Sequence, residues 1–195
     1  MNAFNFSKWN TIIGWSAFAI ALLTYALTLE PTVSYWDCGE YIATSVKLQV
    51  GHPPGAPLFQ MLGAFFALFT GEVTEIAKMV NFMSALASAF TILFLFWSIT
   101  MLAKRLVDNS KELSKSTSIA ILGSGLVGAL TYTFSDSFWF SAVESEVYAL
   151  SSFFTALSFW AVLRWWKSAD DVTADRWMVF IAFMIGLALG THMLN

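Results

Sequence analysis

Residues 11–29, TIIGWSAFAIALLTYALTL, contain no charged side chain. A helix needs about 20 apolar residues to cross a hydrocarbon core, and this stretch has that length. Four more uncharged runs follow at 79–103, 116–135, 147–163 and 177–195. A sixth, Pro57–Thr70, is shorter. Segments of roughly 10–14 residues lie at an interface or dip into it more often than they span. The fold expected is therefore all-α: a polytopic membrane helical bundle of about five spans, with a re-entrant or interfacial helical outer loop.

The rest of the chain agrees with this reading. Of 195 residues, 57% are hydrophobic, 17% aromatic and only 12% charged. Soluble domains carry about 25% charged residues, so an ordinary soluble enzyme and a disordered chain are both excluded. A net charge of -3 offers no basic patch for a nucleic-acid backbone. Cys38 is the single cysteine, so no internal disulfide and no multi-cysteine metal site can form. The first run follows Lys8 but is long for a signal peptide and lacks a small-x-small cleavage site, so it reads as an uncleaved signal anchor.

Lys and Arg set the expected orientation. With five spans, Lys8, Lys104, Arg105, Lys111, Lys115, Arg164, Lys167 and Arg176 share one side, and only Lys47 and Lys78 take the other. The N-terminus is then cytoplasmic. A sixth span through residues 57–70 would give the same split with the opposite orientation. Segment length favours five. So do the acids, because Glu30, Asp37, Glu40, Glu72, Glu75, Asp136, Glu144 and Glu146 then all face outward. Small residues at Gly186-x-x-x-Gly190 and Ser124-x-x-x-Gly128 are expected to let helices approach closely.

The outer loop after the first run carries the candidate chemistry. Ile42, Val46 and Val50 recur every fourth residue, while Asp37, Glu40, Thr44 and Lys47 share another face. That pattern predicts a short amphipathic helix at the membrane surface, ended by Gly51 and turned back by His52-Pro53-Pro54-Gly55. Asp37 and Glu40 fall in its first turn. One reading is that they cap free N–H groups and complement the helix dipole. The other is a general base at the lipid boundary. Lys47 is placed to meet a phosphate or to pair with Glu40. Ser141-x-x-Glu144 has the form of a capping box, and the alternative is that Glu144 and Glu146 form a second acidic group facing Asp37. His192 lies about 22 Å along a helix from Trp177, on the Asp37 side. An ionisable residue inside a span marks function or a hydrogen bond between helices. Two histidines and no cysteine cluster argue against zinc, so no metal site is assigned. No cofactor is required, and an oxygen-ligated divalent cation between Asp37 and Glu144 or Glu146 is compatible with the sequence.

Tyr35-Trp36-Asp37-Cys38-Gly39-Glu40, followed by Gly51-His52-Pro53-Pro54-Gly55, resembles the first outer loop of glycosyltransferase-C membrane enzymes. Protein O-mannosyltransferases and the aminoarabinose transferases of lipid A share this layout. The resemblance is greatest to bacterial relatives of the animal plexin-type protein O-mannosyltransferases. It extends to residues 138–148 (FWFSAVESEVY) and to Gly190-Thr191-His192-Met193-Leu194-Asn195. The resemblance implies a transferase that moves a mannose-like sugar from a polyprenyl-phosphate donor to a protein Ser/Thr hydroxyl or another acceptor, such as a glycan. It implies inversion at the anomeric carbon, with Asp37 as the base. It implies Glu40 beside that base, and substrate-binding roles for His52, Glu146 and Tyr148.

The chain ends within an apolar helix, and the resembling enzymes are much longer. Residues 1–195 are therefore expected to be the N-terminal transmembrane part of a larger glycosyltransferase-C-like domain. The rival readings are a transporter or channel subunit and a non-catalytic membrane scaffold. A transporter would want ionisable groups deep in its spans, whereas the acids here cluster in outer loops.

Overall fold

A computed structural model describes residues 4–107 and 113–191. The described residues are all-helical: α1 (Phe6–Leu27), α2 (Cys38–Lys47), α3 (Pro57–Ala67), a single 3-10 turn (Val73–Glu75), α4 (Ile76–Leu106), α5 (Lys115–Thr133), α6 (Asp136–Ala142), α7 (Val147–Lys167) and α8 (Asp175–Leu189). Local chemistry sets several boundaries. Asn5 caps α1 by accepting the Lys8 N–H at 3.0 Å, and Ser114 caps α5 by accepting the Thr117 N–H at 3.1 Å. Pro57 opens α3, where its missing N–H has no intrahelical partner to lose.

The long helix α4 is the shaft of the bundle, with α1, α5 and α7 packed around it and α8 against α7. Ser84, Ala85, Ser88 and Ala89 are all buried along it. Such small side chains let neighbouring backbones come close where lipid supplies no hydrophobic drive between helices. The closest approaches fall at glycines. A Cβ on Gly125 of α5 would sit 2.6 Å from Thr100 Cγ2, and one on Gly14 of α1 would sit 2.6 Å from Trp97 Nε1. The small-residue expectation needs correction in register. Gly128 does face Ile99, but Ser124 turns its hydroxyl back to the Ile121 carbonyl, and Gly125 holds the contact instead. Gly186 faces open space, and Gly190 packs on Leu58.

The chain runs the length of the bundle along α1, α4, α5, α7 and α8. The start of α1 meets the end of α4, where Lys104 lies over the Phe6 ring at 5.4 Å. The end of α1 meets the end of α5 through the Tyr25 hydroxyl, which donates to the Thr133 carbonyl at 3.0 Å. Arg164 near the end of α7 lies over Trp177 at the start of α8. The far end of α8 receives the Leu58 N–H at Gly190 O, 2.7 Å. Helices α2 and α3 lie at that same end, with Gly63 of α3 against Ser45 of α2 and Val80 of α4. The 57–70 segment thus covers one end of the bundle and does not run its length.

Three of these helices (α1, α4 with its leading turn, and α7) are long and apolar enough to cross a membrane. A fourth is gained if α5 and α6, bent by 68°, count as one span. The last expected span corresponds to α8, which has 15 residues and buries only Ala188. Met178, Val179, Phe183, Ile185 and Leu189 are exposed on it.

Candidate functional site

The loop helix α2 begins at Cys38, with Asp37 as its N-cap residue. It buries Cys38, Tyr41, Ile42 and Ser45, which recur at helical spacing of three and four. This corrects the expected apolar face. Val46 is exposed because Ser45 turns inward against Gly63 in its place, and Val50 because the helix stops at Lys47, with Leu48 in a left-handed conformation. Leu48, and not Gly51, ends the helix. Gly51 serves a different purpose: a Cβ there would lie 3.1 Å from Glu40 Oε1 and from Gln60 Nε2. Any larger residue there would push the Glu40 carboxylate or the Gln60 amide aside by a few tenths of an ångström.

Glu40 gathers the turn that follows. Its carboxylate accepts the His52 backbone N–H at 2.6 Å and pairs with His52 Nδ1 at 3.1 Å. The turn is closed by the Gly55 N–H donating to the His52 carbonyl at 2.9 Å, and Gly55 holds φ at +83°, a region open to glycine. On its other side His52 Nε2 stands 3.9 Å from Asp37 Oδ2. Ligating atoms of Asp37, Glu40 and His52 all lie within 4.8 Å of one another. Neither Asp37 nor Glu40 caps the helix through its side chain: Asp37 makes no cap bond, and Glu40 is engaged by His52. Lys47 is exposed and does not pair with Glu40, whose ionic partner is His52.

A second acidic segment reaches the same place from α6 and α7. Glu144 and Glu146 are both buried. The expected capping box is not formed, since Ser141 lies inside the last turn of α6 and donates to the Ser137 carbonyl. Glu146 is the N-cap residue of α7 without a side-chain cap bond. Its carboxylate instead meets the Asp37 backbone N–H, so the two acidic segments touch. Burial above all, then the neighbouring Glu144 and Asp37 charges, pushes Glu146 up to about 7. Burial also raises Glu144, an effect opposed by the hydroxyl of Ser34, which donates to it. Tyr148 is exposed one residue into α7. His192 lies outside the described residues.

Asn81 was invisible as a site residue, yet it holds the whole arrangement. It is fully buried in α4. Its Nδ2 donates to the Glu30 carbonyl at 2.8 Å and the Thr32 carbonyl at 3.0 Å. Its Oδ1 accepts the Ser145 hydroxyl at 2.5 Å and faces Cys38 Sγ at 3.9 Å. One amide thus ties the loop after α1, the start of α2 and the Glu144–Glu146 segment. The available signal was that Asn81 is the only Asn or Gln in the run 79–103. Trp36, directly before Asp37, is 89% exposed and held at φ 60°, a left-handed conformation that bulky residues seldom adopt.

The Glu40–His52 pair makes a pH prediction. The His52 hydrogen bonds lower Glu40 from its ordinary value, and the Glu40 hydrogen bond raises His52. A raised histidine stabilises the turn fully below its ordinary value of 6.5 and loses that contribution as pH rises through its folded value. A lowered glutamate contributes above its ordinary 4.5 and fades as pH falls through its folded value. The turn is therefore tightest between about 4.5 and 6.5. Side-chain NMR of His52 should show a titration above 6.5 that moves back down in Glu40→Gln. An unmoved titration in that variant would remove the pair from the site's electrostatics.

The chain matches the family model described as the Protein O-mannosyl-transferase TMEM260 N-terminal domain over residues 37–195. It is 28% identical over 141 residues to the Protein O-mannosyl-transferase tmem260 of Dictyostelium discoideum, covering 72% of this chain and 15% of that protein. It is 27% identical over 175 residues to the Protein O-mannosyl-transferase TMEM260 of Mus musculus, covering 89% of this chain and 22% of that protein. The chain thus spans less than a quarter of the length of these relatives. No solved structure matches it. The family match begins at Asp37 and takes in α2, the His52 turn, Asn81 and the Glu144–Glu146 segment, and on that match the chain belongs to the TMEM260 N-terminal domain family.

Proposed function

We propose that this chain is the N-terminal membrane part of a glycosyltransferase-C-type enzyme. It moves a mannose-like sugar from a polyprenyl-phosphate donor to a Ser or Thr hydroxyl. The observation that carries the reading is the convergence of Asp37, Glu40, His52 and Glu146 at one end of an apolar bundle, in a chain of this family. A lipid-held donor and a water-borne acceptor can meet only at such an end.

In this mechanism Asp37 takes the proton from the acceptor hydroxyl. The oxygen attacks the anomeric carbon, the bond from that carbon to the phosphate oxygen breaks, and the polyprenyl phosphate leaves with inversion. Asp37 suits the role because its carboxylate is half exposed and free of cap bonds. Glu40 positions His52, and His52 faces the departing phosphate side. Glu146 fixes the Asp37 backbone. Lys47, Glu144, Tyr148 and His192 are assigned to substrate binding. The acidic end faces outward, to the periplasm or lumen, and the N-terminus is cytoplasmic. The clustering of charge at the bundle end argues against a transporter or channel, which needs such groups within its spans. The Asp37, Glu40 and His52 ligating atoms also fit a divalent cation, and a chelator that stops transfer with Mg²⁺ or Mn²⁺ restoring it would favour that second reading.

The test is glycan analysis of exported proteins from cells with and without the full-length gene. Loss of Ser/Thr-linked hexose in the deletion, restored by the gene, is expected. Unchanged glycans, together with no transfer from polyprenyl-phosphate mannose by the purified full-length protein, would overturn the reading.

A further inference from the structure

A cavity lies at the other end of the bundle, far from the acidic site. It measures about 690 Å³ and opens between the start of α1 and the ends of α4 and α7. Four cations line it: Lys104, Arg105, Arg164 and Lys167. No Asp or Glu lines it, and none of the four has a carboxylate partner among the described residues. Tryptophans hold the arginines in place: Arg105 stacks 3.1 Å from the Trp166 ring centroid, and Arg164 lies against both Trp160 and Trp177, at 5.7 and 5.5 Å. Asn10 also lines the cavity, and its buried Oδ1 has no hydrogen-bond partner.

We infer that this cavity binds the phosphate headgroup of an anionic membrane lipid. Four cations that converge on one open cavity with no carboxylate among them repel one another, though water screens part of this, and an anion that enters relieves what remains. Guanidinium groups offer paired N–H donors matched to phosphate oxygens. The Asn10 amide, turned to present its NH₂, adds a neutral donor. The volume falls within the range of about 300–1,000 Å³ usual for small-ligand sites. A lipid is chosen over a free anion because the mouth is flanked by apolar side chains. Phe6, Met101 and Leu102 line the cavity with the cations, and Leu102 is exposed, where acyl chains would lie. Basic pockets between membrane helices hold anionic headgroups in this manner. Helix dipoles also draw cations to the ends of α4 and α7. They give no reason for the cations of both helices to face one cavity together with Asn10 of α1.

The test uses full-length protein in phosphatidylcholine vesicles with or without phosphatidylglycerol, followed by native mass spectrometry of retained lipid. Each cation beside an anionic surface favours it roughly fivefold, so phosphatidylglycerol should be retained at least about tenfold over phosphatidylcholine. The double variant Arg105→Gln, Arg164→Gln should lose that preference, and Arg105→Lys, Arg164→Lys should keep part of it. All four cations are exposed, so the Gln variants are expected to fold. An unchanged preference in the Gln double variant would overturn the inference, including the case where that variant melts lower in both vesicle types, which is helix capping alone. Displacement of phosphatidylglycerol by millimolar inorganic phosphate would assign the cavity to a free anion and overturn the lipid.

Discussion

In the intact protein, Asp37→Asn is expected to cut sugar transfer by about 10²–10⁴-fold, the usual loss for a general base. Asparagine keeps the size of the side chain. It leaves the backbone N–H that meets Glu146, and Asp37 lends no cap bond to α2 that could be lost. What disappears is the charge that accepts a proton. The variant should insert, fold and bind the lipid-linked sugar while turning it over very slowly, as single-turnover transfer of labelled mannose would measure. Glu40→Gln should be milder. Its amide oxygen can still accept the His52 backbone N–H, now at 2.6 Å, and only the ionic half of the contact is lost. Full transfer by a well-expressed Asp37→Asn protein would remove Asp37 as the base. An inactive Glu40→Gln beside an active Asp37→Asn would move the base one helical turn along α2.

The second large effect falls on stability. Asn81→Leu fills a similar volume but strips the partners from the Glu30 and Thr32 carbonyls and the Ser145 hydroxyl. A buried polar group left unsatisfied costs about 1–3 kcal/mol. Ser145 is fully buried and bears that cost, while Thr32 is exposed and Glu30 half-buried, so their carbonyls regain water in part. The loss is at least about 1–3 kcal/mol, a large share of the roughly 5–15 kcal/mol that holds a typical domain. Melting in detergent should fall sharply, and transfer should be lost with it. Cys38→Ala removes only the weak 3.9 Å thiol contact to the same amide and should melt close to the native protein. Equal melting of Asn81→Leu and the native chain would show that the two loops and the start of α2 are held by other contacts.

Much of the fold was legible because apolar runs announce helices that need no partner to satisfy their backbone. The runs at 11–29, 79–103 and 147–163 became α1, α4 and α7. The gathering of Asp37, Glu40, Glu144 and Glu146 at one bundle end and of Lys104, Arg105, Arg164 and Lys167 at the other was also readable from charge, while Asp170, Asp171 and Asp175 fall at the cation end, where α7 turns into α8. Breaks inside runs were not. The 68° bend after Thr133 sits where the sequence stays apolar, and only Ser135 and Asp136 mark it. The face of α2 was misjudged because the small polar Ser45, and not Val46, packs inward against Gly63, and because Leu48, a residue with no turn signature, ends the helix in a left-handed conformation before Val50. In the site, Glu40 and His52 were legible as one motif, since a single short turn joins them. The approach of Glu146 to Asp37 was not, because it is made by tertiary packing across more than a hundred residues. The Ser141 capping box failed for a related reason: α6 already occupied that serine. Asn81 gave no spacing pattern at all, because its four partners are scattered over two loops and the start of α2.

The shaft helix α4 also works as a ruler. It carries Asn81, which organises the acidic loops, near one end and Lys104 near the other. At 1.5 Å per residue these lie about 35 Å apart. A bilayer's hydrocarbon core is about 30 Å thick. One unbroken element therefore sets the distance between the polar chemistry of the two faces, slightly beyond the apolar slab. A thinner bilayer would have to tilt the bundle or leave apolar turns in water, and a thicker one would draw the loop helices α2 and α3 into acyl chains. Membrane thickness thus acts on the height of Asp37 above the lipid, and hydrophobic mismatch becomes a variable in the geometry of the site.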